Sequence, residues 1–243
     1  MFKFDIKRDH NWQHHVSYDS VSQYNCSAEC CGGICRCGTI HNITVDPLGP
    51  NEFDSIASQM TGGKLSDFDQ YLATRFLRWT LKPEMFEGES CSGWYGEEVG
   101  SIHFDTDCSD FQEFANLVDN FNKLTNRLDR LRFVLSLEYK WMLPEVEAVK
   151  GWELVTLPLK RVHASETTSS RIDEKLAQEY ARYFKNSPRC KVVGLAVPDG
   201  SGDYRLLDGF HRHAAWTGQV KPEYDFDKFV KHRTITVLIP KEK

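Results

Sequence analysis

The segment Tyr204–Trp216, YRLLDGFHRHAAW, sets the architecture expected for the C-terminal part of this chain. It is typical of a short strand, a tight Asp-Gly turn and the start of a helix with His211 and Arg212 in its first turn. A helix N-terminus presents free backbone N–H groups and a partial positive charge, so it favours anions. Arg212 adds a planar donor that suits phosphate, and Gly209 lets the backbone approach that ligand closely. The segment therefore predicts a phosphate-binding junction between a strand and a helix.

The sequence around this junction predicts a mixed α/β (α+β) domain over residues 151–243. Apolar runs typical of buried strands and one helical repeat surround the Asp-Gly turn. The strands are expected at residues 154–157, 192–197, 204–207 and 234–239, and the helix from Ile172 to about Asn186, with a capping pair at Ser170 and Asp173. Elements in this order are expected to share one mixed sheet.

Residues Leu207–Ala215, LDGFHRHAA, resemble the (I/L)DG-x-HR-x-AA signature of the ParB/sulfiredoxin superfamily. The superfamily includes ParB partition proteins, sulfiredoxins, free-serine kinases and ParB-like nuclease domains, and the resemblance covers residues 157–239. It implies a nucleotide-binding domain in which Asp208, Gly209, His211 and Arg212 surround the phosphates. Phe210 stands where sulfiredoxins carry their reactive cysteine, which argues against a sulfinic acid reductase.

The loop over residues 160–171 precedes the predicted helix and contains Glu166 and Arg171. In the superfamily the equivalent loop lies beside the bound phosphates. The resemblance thus implies that Glu166 is a general base toward a substrate hydroxyl and that Arg171 is a second phosphate clamp. The alternative for both residues is an ordinary surface charge. Asp208 is expected either to hold a metal ion or to orient the turn, and His213 to lie in the core or behind the site.

The expected function is binding of ATP, ADP or CTP with Mg²⁺, followed by nucleotide hydrolysis or phosphoryl transfer. Glu166, His211 and Arg212 are the candidate catalytic residues. Two alternatives stay open: a metal-dependent nuclease acting on DNA or RNA, and a non-catalytic protein that senses a nucleotide. Residues 151–243 carry 16 Lys and Arg against 12 Asp and Glu, whereas residues 1–150 carry 14 against 23. The acidic half would repel a duplex, so a nucleotide is favoured over nucleic acid, which remains a candidate partner.

A cysteine cluster dominates residues 1–50, which are expected to form a metal-binding segment. It contains five thiols within twelve residues, Cys26, Cys30, Cys31, Cys35 and Cys37. Four thiolates suit structural Zn²⁺, and a saturated site leaves no position for a substrate. His41 could replace one thiol. An iron–sulfur cluster and free or redox-active thiols are the alternatives.

Residues 51–150 are expected to be mainly helical. Ser66 is the predicted N-cap of a helix that reaches about Leu81. Its expected buried residues are Phe68, Tyr71, Leu72, Phe76 and Leu77. A second apolar repeat predicts one or two helices from Ser109 to about Tyr139, stopped by Pro144, with interleaved charges such as Arg130 facing solvent. A short strand is expected between Val99 and Phe104.

The sequence lacks a run of about eighteen apolar residues, so no membrane-spanning helix is expected. The N-terminal residues also lack the uninterrupted apolar core of a signal peptide. These observations predict a cytoplasmic protein without a membrane partner.

Overall fold

The structure, a computed structural model, describes residues 1–6, 14–17, 44–45, 49–82, 85–89, 99–104, 106–138, 142–164, 172–186, 189–218 and 232–241. The chain has a mixed α/β architecture and divides into two compact units that alternate along the sequence. The first unit comprises Met1–Phe2, Lys64–Trp79 and Leu124–Lys243, and the second comprises Lys3–Gly63 and Thr80–Lys123. Within the described ranges, no helix has the length and apolar character needed to cross a membrane.

The described residues form seven α-helices and nine strands. The helices are α1 Pro50–Met60, α2 Asp67–Thr80, α3 Ser109–Lys123, α4 Arg127–Glu138, α5 Leu143–Glu147, α6 Glu174–Lys185 and α7 Phe210–Thr217. The strands are β1 His14–Ser17, β2 Thr44–Val45, β3 Phe86–Glu89, β4 Val99–Phe104, β5 Trp152–Pro158, β6 Val162–His163, β7 Val192–Pro198, β8 Tyr204–Leu206 and β9 Thr234–Pro240. The strands and helices predicted for residues 151–243 are all present.

The second unit contains an antiparallel sheet in the order β2-β1-β4-β3, together with α1 and α3. The predicted strand at residues 99–104 is β4, whose Phe104 pairs with Phe86 of β3. In α3 the side chain of Gln112 donates to the Thr106 carbonyl at 2.5 Å, before the first turn of the helix. The helix presents Phe111, Phe114, Val118 and Phe121 to the core at three- and four-residue steps.

The first unit is built on a five-stranded mixed sheet in the order β5-β9-β7-β8-β6. The long β5 and β9 strands pair antiparallel from Trp152 opposite Pro240 to Pro158 opposite Thr234. The β9–β7 and β8–β6 pairs are parallel, whereas β7 and β8 are antiparallel. A register shift interrupts β7 between Val192 and Gly194, where the β8–α7 turn packs against the strand.

The core of this sheet is formed by apolar side chains that alternate along β9 and by the continuous buried run of β7. Its buried members are Leu157, Val162, Val193, Ala196, Leu206, Ile235, Val237 and Ile239. Between two helices of the same unit, Tyr180 and Tyr183 of α6 pack with Ala215 of α7. This packing explains why the apolar runs of the strands and the period-3.6 pattern of α6 were both readable in the sequence.

Helix α2 begins as the sequence predicted, with Ser66 as its cap. The Ser66 hydroxyl oxygen accepts the Asp69 backbone N–H at 3.2 Å, and the Ser66 hydroxyl donates to the Asp69 carboxylate at 2.8 Å. The five side chains expected to be buried in α2 are all buried. Helix α6 begins differently, because Asp173 itself is the cap and its Oδ1 accepts the Leu176 N–H at 3.2 Å. Asp173 has the extended backbone of an N-cap residue, so it takes the capping role that the sequence had divided between Ser170 and Asp173.

The prediction of a solvated charge at Arg130 is wrong. Its side chain is only 1% exposed, and its guanidinium donates from Nη1 to the Phe2 carbonyl at 2.7 Å and from Nε to the Leu124 carbonyl at 3.1 Å. The guanidinium also lies 4.9 Å from the centre of the Phe2 ring. Two chain carbonyls and an aromatic face thus replace the water that a surface arginine would bind.

Pro144 lies in the first turn of α5 rather than in the connection after α4. A proline is tolerated there because the first turn of a helix needs no N–H from it.

Candidate functional site

The Asp-Gly turn between β8 and α7 is packed against the backbone of β7. Gly209 has a φ of +90°, and a Cβ added to it would lie 2.1 Å from the Val193 carbonyl oxygen. A Cβ added to Gly194 would lie 2.0 Å from the Asp208 carbonyl oxygen. Two facing glycines therefore let the turn touch β7 directly, since any side chain would separate the two backbones. Gly209 is required by this internal contact, and its approach to a phosphate stays a prediction.

Asp208 is buried and held by two residues of α2. Its Oδ2 accepts the Tyr71 hydroxyl at 2.7 Å and pairs with Nη1 of Arg75 at 2.9 Å. Burial, followed by the charge of Asp208, raises the pKa of Tyr71 well above its ordinary value, so the phenol keeps its proton and donates. Of the two expected roles for Asp208, these contacts support orientation of the turn. Neither α2 residue was identified as a partner of the turn from the sequence.

Arg212 is buried and directed into the protein. Its Nη1 donates to the Val192 carbonyl at 2.6 Å and lies 3.9 Å from the Cys190 sulfur. Its guanidinium carbon is 5.1 Å from the Tyr180 ring centre and 5.9 Å from that of Tyr71. These contacts hold α7 against β7 and the neighbouring aromatic rings. A direct contact of Arg212 with phosphate stays a prediction.

His211 is half-buried at the first turn of α7, where it meets the start of α6. Its Nε2 accepts the Asp173 backbone N–H at 3.0 Å. An imidazole that accepts at Nε2 and is neutral carries its proton on Nδ1, which is then a donor. Burial lowers the pKa of His211, and the positive charge of Arg78 lowers it further, against opposing effects of Asp173 and Asp208. The geometry thus supplies a neutral N–H donor beside two helix N-termini.

His213 is buried on the opposite side of the same helix, as expected for a core residue. Its Nε2 lies 3.2 Å from the Val162 carbonyl oxygen, and burial lowers the pKa of His213. This contact joins α7 to β6.

The loop that carries Glu166 and Arg171 starts and ends at this junction. β6 runs parallel to β8, with Val162 opposite Tyr204, so the chain leaves both strands at the same edge of the sheet. The other end of the loop reaches Asp173, whose N–H donates to His211. Glu166 and Arg171 themselves lie outside the described residues, and their roles as base and phosphate clamp stay predictions.

The predicted zinc ligands Cys26, Cys30, Cys31, Cys35 and Cys37 also lie outside the described residues. Among the residues that are described, no three His, Cys, Asp or Glu side chains are grouped so that they could hold a metal ion. Cys108 is half-buried, and Cys190 is buried with its sulfur 3.9 Å from the Asp67 carbonyl oxygen. Structural Zn²⁺ and nucleotide-bound Mg²⁺ both stay predictions.

Arg78 is a further cation of this region that the sequence analysis missed. It lies in the last turn of α2, and its Nη1 donates to the Tyr180 hydroxyl oxygen at 2.5 Å. A signal was present in the sequence, because positions 71, 75 and 78 fall on one face of the predicted helix. The candidate site thus combines the β8–α7 turn with residues of α2 and the start of α6.

A scan against protein-family models and searches of curated proteins and of solved structures found no match to this chain.

Proposed function

We propose that this protein binds the phosphates of a nucleotide, ATP, ADP or CTP, at the N-terminus of α7 in a ParB/sulfiredoxin-like domain. The observation that carries the proposal is the meeting of the α7 and α6 N-termini at His211. The first turn of a helix leaves backbone N–H groups without intrahelical acceptors, and its partial positive charge attracts anions. His211 adds a neutral donor at the same place.

The order of elements in the first unit supports the domain assignment. Along the chain, β5 and β6 are followed by α6, the β7–β8 hairpin, α7 and β9. This is the order that the resemblance of residues 207–215 implied, with the signature at the β8–α7 turn. The mixed sheet places that turn and the end of β6 at a common edge, where a loop can cover a ligand.

The reaction that we propose is hydrolysis of the nucleotide or transfer of its terminal phosphoryl group. Glu166 would accept the proton of the attacking hydroxyl, and Arg171 would neutralise phosphate charge from the same loop. Arg212 and Asp208 would act mainly by holding α7 and its turn in position, because their side chains are buried against Val192 and Tyr71. The site would then bind phosphate through backbone amides, His211 and the loop.

Mg²⁺ would reach this site on the nucleotide rather than through Asp208. The Asp208 carboxylate already accepts from Tyr71 and pairs with Arg75, and the adjacent guanidinium disfavours a divalent cation. Mg²⁺ bound to nucleotide phosphates would neutralise their charge during transfer. The chain's own contribution is then to orient the phosphates and to supply donors.

The experiment is a thermal-shift panel of ATP, ADP, CTP and GTP with Mg²⁺, followed by an assay of phosphate release for each ligand that binds. A nucleotide at about 100 times its dissociation constant should stabilise the protein by about 2.7 kcal/mol. The same panel is run on His211→Gln and on His232→Gln, a control that changes a half-buried histidine stacked on Trp216. Stabilisation that is lost only in His211→Gln supports the proposal. Equal stabilisation of both variants, or none in the wild type, refutes it. Binding without phosphate release would favour the nucleotide-sensing alternative.

A further inference from the structure

Helix α2 contacts the signature segment through two side chains and α6 through a third, all three on one of its faces. The Tyr71 hydroxyl and the Arg75 guanidinium both reach the Asp208 carboxylate, and Arg78 reaches the Tyr180 hydroxyl. Because these side chains are spaced four and three residues apart, they lie along a single line of the helix. The line brings the last turn of α2, and Arg78 with it, to the region of α6 and α7.

Arg78 is a half-buried cation whose partner is neutral. Its guanidinium donates to the Tyr180 hydroxyl and lies 5.7 Å from the centre of that ring and 5.9 Å from that of Trp79. Within the part of the chain that the structure describes, no carboxylate forms an ion pair with Arg78. A guanidinium has five N–H donors, so several are available to a ligand.

Arg78 and His211 both contact α6, Arg78 at Tyr180 and His211 at Asp173, and the Arg212 guanidinium beside His211 lies 5.1 Å from the centre of the same Tyr180 ring. The charge of Arg78 is close enough to lower the pKa of His211, in addition to the larger effect of burial. Nδ1 of His211 carries a donor proton because Nε2 accepts from Asp173. The charged groups that act on His211 are thus one cation, Arg78, and two carboxylates, Asp173 and Asp208. Asp173 caps α6 and Asp208 is paired with Arg75, so both carboxylates are engaged within the protein.

We propose that Arg78 completes the phosphate site at α7 and makes it selective for a phosphate monoester, such as the terminal phosphate of a nucleotide, over a phosphodiester. This inference rests on the proposed function. A monoester carries a charge of about −1.5 to −2 near pH 7 and three strong acceptor oxygens. A diester carries one charge and two free oxygens. A planar guanidinium therefore binds the monoester more tightly than the diester, because the Coulomb attraction is stronger and two hydrogen bonds can form in parallel.

The test compares methyl phosphate with dimethyl phosphate, which differ only by esterification, as probes of the full-length protein. Binding is followed through the NMR signals of the His211 ring. Arg78→Gln removes the charge but keeps a donor for Tyr180, and Arg182→Gln makes the same charge change at an exposed position of α6. We expect the wild type to prefer methyl phosphate and Arg78→Gln to bind it about tenfold to hundredfold more weakly, the range for a hydrogen bond to a charged group. Arg182→Gln should bind like the wild type.

Arg78→Lys serves as a second variant because it keeps the charge and loses the planar fork. It should fall between the wild type and Arg78→Gln, and it covers the case in which the glutamine variant does not fold. Unchanged affinity in both Arg78 variants, or preference for dimethyl phosphate, overturns the inference. If His211-dependent nucleotide binding persists beside that result, the proposed function stands without Arg78. If the wild type binds neither probe nor any nucleotide, both proposals fail.

Discussion

Gly194 of β7 and Gly209 of the β8–α7 turn face each other, and substituting them separates the effect of steric contact on stability from the effect of backbone strain. Three Gly→Ala substitutions in the same unit differ in what they perturb. At Gly200, φ is +86° and nothing lies within 4 Å of an added Cβ, so only the left-handed backbone is penalised. At Gly194 the Cβ meets the Asp208 carbonyl at 2.0 Å, and the backbone is not in the left-handed region. Gly209 combines both effects, with a φ of +90° and a contact of 2.1 Å.

The expected losses of stability follow from these geometries. A non-glycine residue in the left-handed region costs about 1–2 kcal/mol, which is the expectation for Gly200→Ala. Forcing extra atoms into a packed region costs about 1–3 kcal/mol or more, which is the expectation for Gly194→Ala. Gly209→Ala should lose the sum, about 2–5 kcal/mol, because the clashing atoms belong to the backbone and cannot rotate away.

The assay is urea unfolding of the three variants and the wild type, followed by circular dichroism, with the free energy of unfolding compared at equal m-values. We expect Gly209→Ala to be clearly less stable than Gly200→Ala. If the two variants lose the same free energy of unfolding, the contact of the turn with β7 does not constrain this part of the fold. The steric role assigned to Gly194 and Gly209 would then be wrong.

Three further predictions concern the buried groups and the cysteine cluster. Tyr71→Phe should lose about 1–3 kcal/mol and Asp208→Asn about 3–5 kcal/mol in urea unfolding, since only the second removes the carboxylate that pairs with buried Arg75; equal losses would contradict this. Because burial lowers the pKa of His213, the unfolded chain binds a proton at higher pH than the folded protein. The free energy of unfolding should therefore be independent of this group above about pH 6.5 and should fall below that pH by at most about 1.4 kcal/mol per pH unit. In His213→Gln, unfolding measured from pH 7.5 to pH 5 should show a smaller slope, and an unchanged slope would refute the assignment. A strong chelator should release zinc, measured by elemental analysis, and lower the melting temperature, whereas a metal-free protein with the same melting temperature would exclude a structural metal.

The elements of residues 151–243 could be predicted because their patterns are local. β7 is a continuous apolar run, α6 repeats its apolar positions at helical spacing, and an Asp-Gly turn precedes α7. Each pattern depends on which neighbours a residue has along the chain. Helix α1 was equally accessible and was missed, although Pro50 opens it and its buried residues recur at three- and four-residue steps.

The partners of the signature residues could not be predicted in the same way. An arginine in the first turn of a helix has the same local sequence whether it donates to a phosphate or, as Arg212 does, to the carbonyl of Val192. Arg130 shows the same limit, since its helical position suggested solvent and one of its actual acceptors, the Phe2 carbonyl, is 128 residues away in sequence. The contacts of α2 with Asp208 and Tyr180 depend on long-range packing, because these partners are about 100 to 140 residues away in sequence.

The dependence of Asp208 on α2 also bears on how the protein can be divided for study. A fragment that begins at residue 151 would contain the whole Asp-Gly signature and every strand of its sheet. It would lack Tyr71 and Arg75, and so leave a buried carboxylate without the hydroxyl and guanidinium that hold it. Such a fragment is expected to be less stable than the intact chain and to aggregate. A fragment that keeps both contacts of Asp208 must therefore include residues 64–79, which precede the Asp-Gly turn by more than 120 residues.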